Sequence, residues 1–189
     1  NGLTDLHHPC QALADYLTMR ERFGKKKGLK IAYLGDGNNV LHSLMLVGAL
    51  IGVNVSAACA PGFEPDEGGV EKTRELAAAS GASIDLSSDV QRATEGAHAV
   101  YTDVWVSMGQ EAEAERRKKA FAPYQVNEAA FRNAEPGAIF MHCLPAHRGE
   151  EVEDEMIDGP RSAVFEQAGN RLHAQKILLE ILAGGKNAI

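Results

Sequence analysis

A chain of 189 residues, 44% apolar and only 6% aromatic, carries enough hydrophobic material for one α/β-sized core, or one domain with pieces of a neighbour. Its formal charge of -7, from 26 acidic and 19 basic side chains, argues against a general binder of nucleic-acid phosphates, and no long apolar run predicts a membrane span. Cys10, Cys59 and Cys143 are widely spaced and odd in number, which excludes a disulfide framework or a Cys-x-x-Cys pair and fits a reducing, cytoplasmic setting.

The chain opens on Asn1-Gly2, without an initiator Met or a signal peptide, and reads as a fragment or processed product. Pro9 suits a first helical turn, and Leu13, Tyr16, Leu17 and Phe23 recur at helical spacing, so a helix is predicted over 10–23, stopping near Gly24. The cluster Arg22, Lys25, Lys26, Lys27 and Lys30 reads as a solvated helix end or loop. An apolar strand over 29–34 is followed by Gly35-Asp36-Gly37-Asn38-Asn39 and a helix over 40–51. This is strand, tight turn and helix, but not the dinucleotide fingerprint, because Val40 stands where the third glycine belongs. The glycines permit a turn, and Asn38 and Asn39 either cap the helix or present amides to a ligand.

A strand over 54–58, a helix over 69–80 and a strand over 82–86 continue the alternation. Ser87-Ser88-Asp89 supplies a helix start, and 99–103 is a further short strand. The βαβαβαβ order predicts parallel strands with right-handed crossovers: a doubly wound, mostly parallel Rossmann-like sheet with helices on both faces. After Asp103, the run Val104-Trp105-Val106-Ser107-Met108-Gly109-Gln110 places polar groups around the sole Trp. Residues 111–119 read as a charged, mobile helix or loop with Arg116 to Lys119 exposed, and 124–133 as a helix. A strand over 137–141 leads into His142-Cys143-Leu144-Pro145-Ala146-His147-Arg148. A short acidic helix over 150–157, a last strand over 162–165 and an amphipathic helix over 171–182 complete the chain, with 177–182 expected to be packed.

Ligands of open α/β sheets gather beyond the carboxyl ends of strands, which directs scrutiny to Asp103 and to the heptapeptide at 142–148. Cys143 is either a thiol activated by His142, His147 or Arg148, or a small apolar group packed under a loop. Asp103 can pair with an ammonium group, transfer a proton, or simply cap a helix. Asn39 and Arg171 are suited to a small carboxylated ligand, Arg171 by two-pronged pairing. His7-His8 with His142, Cys143 and His147 lack the spacing of a structural zinc set, and Ser107 lacks the Gly-x-Ser-x-Gly elbow of a serine hydrolase.

Several stretches together resemble the aspartate/ornithine carbamoyltransferase family: Leu6-His7-His8-Pro9-Cys10-Gln11, Gly35-Asp36-Gly37-Asn38-Asn39, Asp103 to Gly109, His142-Cys143-Leu144-Pro145 and Asn170-Arg171. The Ser-Met-Gly and His-Cys-Leu-Pro pair is similar to the ornithine-using branch. The resemblance implies transfer of a carbamoyl group from carbamoyl phosphate to the side-chain amine of L-ornithine, giving L-citrulline and phosphate, with no cofactor and no metal. It implies that His8 and Gln11 hold the carbamoyl group, that Asn39, Asp103, Ser107 and Met108 receive ornithine, and that Cys143 and Leu144 lie at the reacting centre beside Arg171. Cys143 is then expected to orient the amine rather than to form a covalent bond. A homotrimer is implied for the full-length protein, without nucleic-acid or membrane partners. The family's Ser-x-Arg-Thr-Arg phosphate motif is absent, so residues 1–27 are expected to be the tail of a carbamoyl-phosphate domain, 28–165 an ornithine domain and 166–189 a helix returning to the first domain. The fragment alone is expected to be nearly inactive. A carbamoyltransferase for another amine and a non-catalytic amino-acid-binding domain are the competing readings.

Overall fold

In the computed structural model, residues 1–107, 109 and 111–184 are described; Met108 lies outside them. Seven α-helices and five strands alternate along the described residues. They are α1 (Pro9–Phe23), β1 (Lys30–Gly35), α2 (Asn39–Ile51), β2 (Asn54–Cys59), α3 (Glu67–Ser80), β3 (Ile84–Ser87), α4 (Val90–Thr94), β4 (Ala99–Thr102), α5 (Ala114–Phe121), β5 (Ile139–His142), α6 (Asp154–Asp158) and α7 (Val164–Leu182). All pairings in the sheet are parallel, in the order β3-β2-β1-β4-β5. Successive side chains of a strand point to opposite faces. Tyr33, Tyr101 and Met141 accordingly enter one core with α1 and α2, while Leu34, Val100 and Phe140 enter a second with Phe121, Met156 and Val164. Burial on both faces explains why the strands read as unbroken apolar runs. The doubly wound parallel sheet expected from the sequence is the one observed.

The order of the strands also fixes where a ligand can bind. From β1 the chain builds outward through β2 and β3, then returns to place β4 on the other side of β1. Loops after β1 and β4 therefore diverge, leaving a crevice at their carboxyl ends. Gly37 sits in the first of these loops because a Cβ there would fall 2.2 Å from the backbone nitrogen of Pro65. Its own N–H donates to the Phe63 carbonyl at 2.8 Å, so two loops are clamped at backbone distance.

Three local expectations fail. Residues 162–165 form no strand: Phe140 N–H donates to the Arg161 carbonyl and Ala163 N–H to that of Phe140, a single bridge, after which α7 begins at once. Residues 124–133 form no α-helix: Tyr124 ends a 3-10 helix, Val126 is drawn into a bridge with Val152, and 128–133 are turns with short-range bonds such as Phe131 N–H to Glu128 C=O. Finally, Ile177, Leu179, Ile181 and Leu182 are exposed, since α7 packs on α1 through its first half only. That pairing is antiparallel, with Arg171 against Gln11, Gln167 against Asp15 and Glu166 against Arg22.

Candidate active site

Beyond β1, Asn38 caps α2: its side-chain oxygen accepts from the N–H groups of Val40 and Leu41 at 3.0 and 3.3 Å. Capping fixes the amide plane, so its NH2 must point away from the helix, where it donates to Asp103 Oδ2 at 2.7 Å. Asp103, the residue after β4, is anchored by its neighbour's backbone, Val104 N–H donating to Oδ1 at 2.8 Å. The same oxygen accepts the Cys143 thiol proton at 2.9 Å. Three loops, after β1, β4 and β5, thus meet at one carboxylate.

Burial pushes the Cys143 thiol well above its ordinary range, and the Asp103 carboxylate pushes it further. Cys143 is consequently a protonated donor, not a thiolate nucleophile. Behind it, His142 is fully buried, and its Nδ1 accepts from Leu144 N–H at 2.8 Å. The ring proton must then sit on Nε2, 3.3 Å from Glu151 Oε1, and the same oxygen accepts from His147 N–H. These contacts fold the heptapeptide into a fixed turn in which Leu144 takes a left-handed φ of 57° and the Leu144-Pro145 bond is cis. Asp103, His142 and Cys143 bring ligand atoms within 4.8 Å of one another, but Asp103 Oδ1, the Cys143 proton and His142 Nδ1 are already spent on the bonds above.

A second group stands on α1 and α7. Gln11, almost wholly buried, accepts from Arg171 Nη1 at 2.7 Å and donates to Asp15 at 2.8 Å. His8 donates its N–H to Ser43 Oγ at 2.7 Å, while its Nδ1 is buried without a partner among the described residues. Burial lowers the His8 imidazole, Arg171 lowers it further and Asp103 raises it, so His8 feels both groups. His8, Gln11, Arg171, Asp103, Cys143 and Leu144 are thereby gathered at one end of the sheet. Asn39 is turned elsewhere, its amide donating to the Thr4 carbonyl at 2.8 Å, and Ser107 is part-buried in the loop after Asp103.

Sequence reasoning missed the supports. Asn38, which the turn offers as a cap or as an amide facing a ligand, caps α2 and turns its amide to Asp103. Arg117, expected on an exposed charged segment, is 4% exposed: it pairs with Asp36, donates Nε to the Trp105 carbonyl at 2.6 Å and lies over the Phe63 and Phe121 rings. It holds the loop after β4 against the loop after β1. No local pattern distinguished Arg117 from Arg116, which is solvated.

Comparison with known proteins adds a family to this geometry. Residues 27–182 match the family model described as aspartate/ornithine carbamoyltransferase, Asp/Orn binding domain. The ornithine carbamoyltransferase of Thermococcus kodakarensis is 56% identical over 185 residues, covering 98% of this chain and 59% of the relative. The ornithine carbamoyltransferase structure from Pyrococcus furiosus superposes with a TM-score of 0.91 at 56% identity, over 95% of this chain and 57% of that one. The anabolic enzyme structure from Campylobacter jejuni gives 0.93 at 37% identity, covering 98% and 62%. The chain therefore spans about three fifths of the length of the curated relatives it matches.

Proposed function

Because the chain belongs to the aspartate/ornithine carbamoyltransferase family, we propose that it carries the amino-acid side of an ornithine carbamoyltransferase. The whole protein would transfer the carbamoyl group of carbamoyl phosphate to the side-chain amine of L-ornithine. The observation that carries this reading is the Asn38–Asp103–Cys143 chain of hydrogen bonds at the sheet's switch point, electrostatically in reach of the His8, Gln11 and Arg171 group.

In this reading Asp103 anchors the α-ammonium of ornithine; the family resemblance adds Ser107, Met108, which lies outside the described residues, and Asn39, whose amide must leave the Thr4 carbonyl to take part. The uncharged side-chain amine attacks the carbamoyl carbon, a tetrahedral adduct forms, and the C–O bond to phosphate breaks as the amine's proton passes to the departing phosphate, leaving citrulline and phosphate. Cys143 and Leu144 stand at the approach path; as a neutral thiol already bound to Asp103, Cys143 orients the amine without repelling it. His8 and Gln11 hold the carbamoyl group, and Arg171 balances negative charge on the oxygens as it grows in the transition state. Bringing two small reactants together in one crevice also removes much of the entropic obstacle to their reaction. No cofactor is required by this chemistry.

We further propose a division into a carbamoyl-phosphate-domain tail over 1–27, an ornithine domain over 28–165 and a returning segment over 166–189, of which 185–189 lie outside the described residues, in a cytoplasmic homotrimer. That the chain covers 59% of the relative's length supports the view that turnover belongs to the whole protein. Citrulline formation from carbamoyl phosphate and L-ornithine, measured for the 189-residue chain and for the same chain joined to a relative's amino-terminal part, tests this. Activity in the joined protein alone is expected. Strong activity in the short chain would refute the divided phosphate site, and putrescine outcompeting ornithine would refute the acceptor.

A further inference from the structure

Asp15 is fully buried between α1, α7 and the sheet, and the reading above gives it no task. Its Oδ1 accepts from the side-chain NH2 of Gln11 at 2.8 Å and from that of Gln167 at 2.6 Å, while Oδ2 has no hydrogen-bond partner among the described residues. Burial raises the Asp15 carboxyl to about 7, but with its proton absent or on the unpartnered Oδ2 the Oδ1 atom only accepts, so each glutamine turns its NH2 inward and its carbonyl outward. The outward carbonyl of Gln11 meets Arg171 Nη1, and that of Gln167 meets the backbone N–H of His142 at 2.9 Å, one residue before Cys143. A buried carboxylate with an unsatisfied oxygen is a cost that packing alone does not demand.

We propose that Asp15 is a positioning residue that sets the orientation of two side-chain amides and so ties the Arg171 side of the site to the backbone carrying Cys143. With an acceptor at the centre, both carbonyls face the site. With a donor there, one amide gains by turning over, and either Arg171 or His142 N–H loses its acceptor. The effect on turnover rests on the transferase reading; the effect on amide orientation does not.

The test is hydrogen exchange in the 189-residue chain, comparing the parent with Asp15→Asn, which keeps the shape but adds an NH2 donor. His142 N–H or the Gln11 carboxamide protons are expected to exchange faster by about tenfold, the worth of one buried hydrogen bond, while amides of β1 keep their rates. Unchanged rates at both places overturn the proposal. Should Asp15→Asn not fold, the parent decides: slowly exchanging NH2 protons on both glutamines support it, and rapid exchange of either defeats it. In the whole protein, Asp15→Asn is expected to lower kcat by about tenfold with KM for ornithine within about twofold, and an unchanged kcat overturns the link to turnover. If the whole protein with Asp15 intact forms no citrulline, the transferase reading fails while His142 and glutamine exchange in the 189-residue chain still judge Asp15.

Discussion

At the scale of a residue, the candidate site turns on a thiol that keeps its proton. Cys143 lies where a nucleophile would be expected, at a strand end among His142, His147 and Arg148, yet none of these is its partner. Its partner is a carboxylate, and a carboxylate accepting from a thiol raises its pKa, as burial already does. Alkylation rates distinguish the two pictures. At pH 8, Cys143 is expected to react with iodoacetamide more slowly than a free thiol, and Asp103→Asn to accelerate it severalfold by removing the negative charge. Cys59, pushed up to about 12 chiefly by burial, should stay inert in both proteins and serves as the internal control. Unchanged or slower labelling after Asp103→Asn would refute the view that the Asp103 charge keeps the thiol protonated.

Elements are held at the site by groups whose protonation state is part of the joint. His42 on α2 is the clearest: its Nδ1–H donates to the Leu6 carbonyl at 3.0 Å, and its Nε2 accepts from Asp66 N–H at 2.9 Å. One ring therefore fastens the segment leading to His8 and the start of α3 to the same helix. A second ring proton has nowhere to go without ejecting the Asp66 N–H. Burial lowers the His42 pKa below its usual 6.5 and His7 lowers it further, against the Leu6 carbonyl, Asp66 and Asp36, which raise it. For a histidine with a depressed folded pKa, the unfolded chain binds more protons in the window between the two values. The stabilisation is thus complete above about 6.5 and is lost as pH falls through the folded value. A proton-NMR titration should show His42 protonating below a free imidazole, with Asp66 N–H exchange quickening in the same range. A His42 midpoint above the free value would remove this account of the joint.

On the scale of the whole molecule, the described residues leave one face of α7 uncovered. Phe165, Leu172 and Leu179 are 71%, 70% and 66% exposed, and an open groove of about 1020 Å³ runs between α1 and the far half of α7. This groove lies away from Asp103 and Cys143. The isolated chain is expected to bind an apolar fluorescent dye, and Leu172→Glu with Leu179→Glu to reduce that signal while changing folding stability by less than about 1 kcal/mol. Loss of folding instead would mean that these side chains are core. The sequence by itself determined the alternation of strands and helices, because burial on both faces of a parallel strand demands a continuous apolar run and the glycine and asparagine turns punctuate it locally. It also placed Asp103 and Cys143 at strand ends, where such sheets bind ligands. Only the tertiary structure decided that residues 162–165 bridge once and coil into α7, that Arg117 is buried while Arg116 is not, and that Asn38, Asp15 and Gln167 brace the site. Each of those outcomes depends on a partner distant in the chain, 81 positions from Arg117 to Asp36 and 152 from Gln167 to Asp15, and no local spacing encodes such a meeting.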